Sequence, residues 1–275
     1  MIEPGIHADL GNEAYHADED YLSSSRLKGY LPEHYKQGGS QEALDFGTLF
    51  HAVVLEPDRV ALDYVALDAE KIGLKSDGTV AQNPTMTAAW KRAVAEAEQD
   101  GKTVIDQGAL NKAYRMRDAV AKHDTARRLL FEEDGRAELS CFAVDENGIR
   151  HKARFDKLIT GVGIDLKSTA GKPGEDAIGR AVLDYGYDLS AVHYMTVAEL
   201  LGMDLQAFAF VFVSKDDDPF VTVCDLDETF LARGRALREK AIRRHVDPTE
   251  PRYPGASGFL TLTAPRWAQI GELAS

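Results

Sequence analysis

Cysteine, positive charge and long apolar runs are what this chain lacks. Only Cys141 and Cys224 occur, far apart and outside any C-x-x-C pair, so they cannot by themselves ligate an iron–sulfur cluster. They read as buried thiols of a reducing cytoplasm. No stretch is long and apolar enough to suggest a transmembrane helix, so no membrane partner is expected. The opening MIEPGIHADLGNEAYH has neither a basic n-region nor an apolar h-region and does not signal secretion. Net charge is −13, which repels a polyanion as a whole; a nucleic-acid partner would need Lys and Arg gathered locally. Internal repeats and low-complexity runs are also missing.

At 275 residues with 44% hydrophobic content, the chain can bury a full core as one elaborated domain. Ser23-Ser24-Ser25 offers N-caps for a helix through about Tyr35. Residues 43–55 read as a second helix with the stripe Phe46, Leu49, Phe50, Val53 and Val54, and Gly47 permits a close approach. Residues 68–85, rich in Gly, Asp, Ser and Thr, read as a loop. Helices follow over 87–100 and 107–132, then strands over 137–144, 150–159 and 163–167. A helix over 191–201, strands over 207–213 and 220–225, and a helix over 227–245 complete the pattern. This order predicts an α/β fold, a central mixed β-sheet flanked by helices with an αβββαβ core. One domain is expected: a helical part over about 1–132, a sheet core over about 137–225, and a helix and tail over 226–275.

The chemistry concentrates in KARFDKLITGVGIDLKSTA, residues 152–170. In Ile164-Asp165-Leu166-Lys167, alternation on a strand sends Asp165 and Lys167 to one face and Ile164 and Leu166 into the core. Asp156 reaches the same edge if the two runs pair as a hairpin across Thr160-Gly161. Two carboxylates and an ammonium then share one point, and neither carboxylate is expected within the apolar core. Paired hard oxygen ligands suit Mg²⁺ or Mn²⁺, and an adjacent Lys stabilises anionic charge on a phosphate or orients an attacking water. The same pattern is also that of a surface hairpin with a salt bridge.

Other candidates carry their own alternatives. His51 is either a packed core histidine of an apolar helix or a metal ligand. Glu138, on the strand before Asp156, either adds a carboxylate or faces solvent. Arg233, Arg235, Arg238, Lys240, Arg243 and Arg244 crowd the last helix, and Arg115, Arg117, Arg127 and Arg128 mark another basic stretch. They either line a DNA path or solvate helix faces beside nearby acids.

These segments, with NEAYHADEDYLSSSRLKGYLPEHYK, LDFGTLFHAVVLEPDRV, RAELSCFAVDENGIRHKARFDKLI, YGYDLSAVHY, FVFVSKDDDPFVTVCDLD and LTLTAPRWAQ, follow one another as in a known family. The chain resembles the RecE, or exonuclease VIII, branch of the PD-(D/E)XK nucleases, over nearly its whole length. Two departures stand out. Phe155 occupies the Pro position, which contributes no ligand. The family's Gln-x-x-x-Tyr helix reads Ser190-Ala191-Val192-His193-Tyr194, with Ser in place of Gln and His193 read as a packed residue.

The resemblance implies Mg²⁺, with Mn²⁺ able to substitute, held by His51, Asp156, Asp165 and the Leu166 carbonyl. Asp156, Asp165 and Lys167 would be catalytic, with Glu138, Ser190 and Tyr194 accessory. Charge clustering on the last helix, rather than the resemblance, is what would set Arg233, Arg235, Arg238, Arg243 and Arg244 on the DNA. The resemblance implies 5′-to-3′ digestion of linear duplex ends, a single-strand annealing protein or recombinase as partner, and a homo-oligomer, a ring among the options. A structure-specific or single-strand endonuclease, or a non-catalytic DNA-end-binding module, are the alternatives.

Overall fold

The computed structural model describes residues 2–36, 39–249, 258, 259, 261 and 262. The strands are β1 (Gly5–His7), β2 (Tyr64–Leu67), β3 (Thr103–Asp106), β4 (Gly135–Val144), β5 (Arg150–Ile159), β6 (Val162–Thr169), β7 (Ala207–Ser214) and β8 (Val221–Cys224). The helices are α1 (Asn12–Ala17), α2 (Ser24–Gly29), α3 (Gln41–Leu55), α4 (Pro57–Asp63), α5 (Ala69–Ile72), α6 (Ala88–Gln99), α7 (Gln107–Lys122), α8 (Asp124–Arg127), α9 (Glu175–Tyr185), α10 (Tyr187–Leu200) and α11 (Glu228–Val246).

The main sheet runs β1-β4-β5-β6-β7-β8, with β6 and β7 parallel and the other pairs antiparallel. This is the mixed sheet the sequence predicts. Both faces are covered, as the near-continuous apolar run of β7 requires. On one face Phe155, Phe208, Phe210 and Phe212 pack with Ile178 and Val182 of α9 and Ala191 and Val197 of α10. On the other, Ile164, Leu166, Val211 and Val213 pack with Phe50 and Val54 of α3 and Met116 and Val120 of α7. Phe155, standing where the family pattern has Pro, is fully buried and meets the Tyr194 ring edge-on at 5.1 Å.

Side-chain caps place the helices: Ser23 accepts from Arg26, Ser40 from Ala43, Thr87 from Trp90, Asp106 from Ala109 and Asp227 from Phe230. Several expectations need correction. The helix from Ser23 ends at Gly29, before Pro32, because proline disfavours helix in the residue preceding it. The expected 107–132 helix breaks at His123, whose backbone is extended and whose Nδ1 accepts the Ala126 N–H to start a new turn. Residues 68–85 contain helix α5, a Leu74–Val80 bridge and a 3₁₀ turn rather than one open loop. Gly47 permits no close approach: a Cβ there would meet nothing within 4 Å. The segment 260–269 used in the resemblance lies outside the described residues, apart from Thr261 and Leu262.

Candidate active site

The site forms where β5 and β6 part. Their ladder starts beside the Thr160-Gly161 turn, with Gly161 at φ 73, and its last pair is Lys157↔Ile164. Beyond it, Asp156 fills the gap: its Oδ2 accepts the Leu166 N–H at 2.6 Å, replacing a main-chain acceptor. Its Oδ1 faces α3, 3.6 Å from His51 Nδ1.

Glu138 comes from β4. The pairs on either side, Ala137↔Lys157 and Leu139↔Phe155, set it opposite Asp156. Its φ of 49 makes it the one non-glycine residue with positive φ among the described residues, a conformation costing about 1–2 kcal/mol. Strain of this kind gathers at functional sites.

His51 comes from α3, whose buried Phe50, Val53 and Val54 fix the helix on the fold. Its Nε2–H donates to the Leu166 carbonyl at 2.8 Å, which turns Nδ1 toward Asp156 and, at 3.9 Å, Glu138. Burial opposes charge on the ring, yet these two carboxylates outweigh it and hold the pKa up to about 9. The ligand atoms of His51, Glu138 and Asp156 lie within 4.8 Å of one another. One imidazole nitrogen and two carboxylates form a donor set that fits a small divalent cation. The Nε2–H bond to Leu166 fixes the tautomer that leaves Nδ1 free to coordinate.

Asp165 and Lys167 follow on β6, with Lys167 Nζ 2.5 Å from Asp165 Oδ1 and 5.5 Å from the Tyr187 ring centroid. Ile164 and Leu166 are fully buried, as alternation predicts. Asp156 and Asp165 are only 9% and 6% exposed, which corrects the expectation that the acids stand outside the core. Burial, helped by the charge of Asp156 and opposed by Lys167, raises the Asp165 pKa to about 6. Lys167 is half-buried, which opposes its charge, but the two aspartates outweigh that and hold its ammonium well above the ordinary lysine range.

A cleft of about 790 Å³ opens over His51, Glu138, Asp156 and Tyr194. Its charged lining is acidic on balance, with Asp9, Glu56, Asp63, Glu138 and Asp156 against Arg59 and Arg154. Ser190 lies one helical turn before Tyr194, where Oγ donates to the Gly186 carbonyl and accepts from Lys28 at 3.3 Å. His193 is fully buried, with Nε2 3.0 Å from the Lys152 carbonyl, and burial with nearby Arg238 lowers its pKa to about 3. It is a packed residue.

The α11 arginines do not join this cluster. Arg233 pairs with buried Asp188, Arg235 with Glu228, and Arg244 with Glu33 at 2.7 Å. Arg238 Nε lies 3.3 Å from His193 Nδ1, and Arg243 is exposed. Four of the five candidate DNA contacts are thus held within the chain. Sequence reasoning missed Lys28 and Arg154. Arg154 is buried and bonds Ser140, Asn12 and the Leu10 carbonyl, tying the segment before α1 to the cleft wall. The alternation of Lys152, Arg154 and Asp156 along β5 was the signal that would have found it.

Residues 22–254 match the model of a family described as a PDDEXK-like domain of unknown function, DUF3799. The chain belongs to this family. Its fold is therefore that of the PD-(D/E)XK nucleases. A crystal structure from Eubacterium rectale, described as a candidate exonuclease, is similar at 14% identity and TM-score 0.55, covering 87% of this chain and 86% of its own. LHK-Exo in complex with dAMP also matches, at 15% identity, TM-score 0.26, and 72% and 91% coverage. No curated protein matches the chain.

Proposed function

We propose that this family member is a divalent-metal-dependent exodeoxyribonuclease that digests linear double-stranded DNA from 5′ ends, leaving 3′ single strands. The observation that carries the reading is the convergence of His51, Glu138 and Asp156 within 4.8 Å, beside the Asp165–Lys167 pair. In this reading Mg²⁺ is the working ion and Mn²⁺ substitutes. Asp165 and the Leu166 carbonyl border the triad, and Glu138 joins the expected ligand set. When bound, the ion would polarise a phosphoryl oxygen and acidify a bound water.

The chain's own groups do the rest. Lys167, fixed by Asp165 and the Tyr187 ring, neutralises charge that develops on the phosphate and orients the attacking water. Asp165, with a pKa near 6, is mostly ionised at neutral pH and keeps Lys167 in place. His51 is aimed by Leu166, and Tyr194 walls the cleft. Polarity, a recombination role with an annealing protein or recombinase in the host cytoplasm, and assembly into a homo-oligomeric ring come from the RecE-type resemblance.

A linear duplex labelled at either the 5′ or the 3′ end tests the reading. Labelled 5′ mononucleotides should appear first, in Mg²⁺ and not in chelator. Cutting of a covalently closed circle would favour an endonuclease instead, and end binding without nucleotide release would favour a binding module.

A further inference from the structure

A second ammonium reaches the turn between α9 and α10 from α2. Lys28 Nζ lies 3.0 Å from the Tyr185 carbonyl oxygen and 3.3 Å from Ser190 Oγ. Both acceptors are neutral. The nearby carboxylates are engaged elsewhere: Asp165 holds Lys167 at 2.5 Å, and Asp188 holds Arg233. An ammonium has three N–H donors, so these two neutral acceptors leave one unused.

Packing fixes where that donor stands. Gly186 joins α9 to α10 at φ 66, and a Cβ there would come 2.8 Å from Lys28 Cδ and 2.7 Å from the Tyr35 ring. The Lys28 stem therefore lies along the only kind of residue that admits it. Lys28 meets the 185–190 turn at Tyr185 and Ser190, while Lys167 meets it at the Tyr187 ring. Burial, with the like charge of Lys167, pushes the Lys28 pKa down to about 8. Asp165 and Asp188 offset this only in part, so a cation that bonds only neutral acceptors beside a second cation can still take a further anion.

We infer that Lys28 is a substrate-binding residue of the active site, donating to a non-bridging phosphate oxygen of the same DNA strand that Lys167 engages. The inference rests on the nuclease reading. A phosphodiester strand, with one negative charge at each step, supplies the two anionic groups that two neighbouring lysines call for.

Binding of a linear duplex, measured in chelator across a series of salt concentrations, tests it. Lys28→Met should weaken binding about tenfold and lower the slope of log K against log salt by about one, the loss of one phosphate contact. Lys28→Arg should retain affinity within about threefold, since it keeps the charge. Should Lys28→Met melt early, Lys28→Gln gives the same slope comparison with a polar side chain kept. A Lys28→Met slope equal to the parent's, with affinity within about twofold, would overturn the inference. Parallel Mg²⁺ assays separate the two claims: a parent that cuts with an unchanged variant slope refutes only Lys28, whereas a parent that never cuts refutes the nuclease reading.

Discussion

One hydrogen bond, from His51 Nε2 to the Leu166 carbonyl at 2.8 Å, decides which imidazole nitrogen faces the carboxylates. Its electrostatic consequence can be measured. The His51 pKa is raised from 6.5 to about 9, so its charge stabilises the metal-free fold below about pH 6.5, and that contribution is lost as pH rises through 9. Asp165, raised from 3.8 to about 6, acts in the same direction: its neutral form favours the fold at low pH, and the benefit is lost as pH rises through 6. In chelator these two groups should make the melting temperature fall as pH climbs from about 5 to about 9. Coordination needs neutral imidazole, so Mn²⁺ binding should release a proton below pH 9 and tighten as pH rises. Calorimetric titration in buffers of different ionisation heat reads that proton. Uptake of Mn²⁺ at pH 7 without proton release would remove His51 from the ligand set.

At the scale of elements, α11 is a helix docked by its charges. Arg244 is buried, pairs with Glu33 and donates to the Tyr30 carbonyl at 2.8 Å, so it clamps α11 to the segment after α2. Arg244→Ala should lower stability by about 3 kcal/mol, the scale of breaking a buried pair, while leaving the salt dependence of DNA binding unchanged. Denaturant melts and binding isotherms of the variant check both outcomes; a flattened salt slope would return α11 to the DNA path. The sequence displayed these arginines but not their partners, because Asp188 and Glu33 are far away in the chain and only the folded helix pairing brings them near. By contrast β4 to β6 were legible within one or two residues, since period-two alternation and the Thr160-Gly161 turn are local signals. Helix α9 was missed although Ile178 and Val182, four apart, mark its buried face. The glycines at 174, 179 and 186 masked it, and Gly186 separates it from α10. At the site, His51, Asp156, Asp165 and Lys167 are readable from residue type and family order; the structure sets Asp156 beside His51 and Asp165 beside Lys167, with Glu138 rather than Asp165 completing the triad. Glu138 was left open because neither its positive φ nor its place opposite Asp156 follows from its neighbours in sequence. Lys28 is invisible for a similar reason, since its partners Tyr185 and Ser190 come from a distant segment, whereas Arg154 is marked by the alternation along β5.

For the whole molecule, a net charge of −13 and an acidic cleft suit a DNA substrate only when cations stand between them. A divalent ion in the triad and the lysines at positions 28 and 167 would serve that purpose locally, without a basic surface overall. In the proposed function the Asp156 carboxylate helps hold that ion. Asp156→Asn tests it most directly, because the amide oxygen still accepts the Leu166 N–H while the charge is removed. The decisive measurement is single-turnover cleavage of a linear duplex at saturating Mg²⁺ by this variant and the parent, with melting temperatures recorded for both. The expected outcome is a rate lowered at least about a hundredfold with the fold retained. A variant that cuts within a few fold of its parent would contradict it.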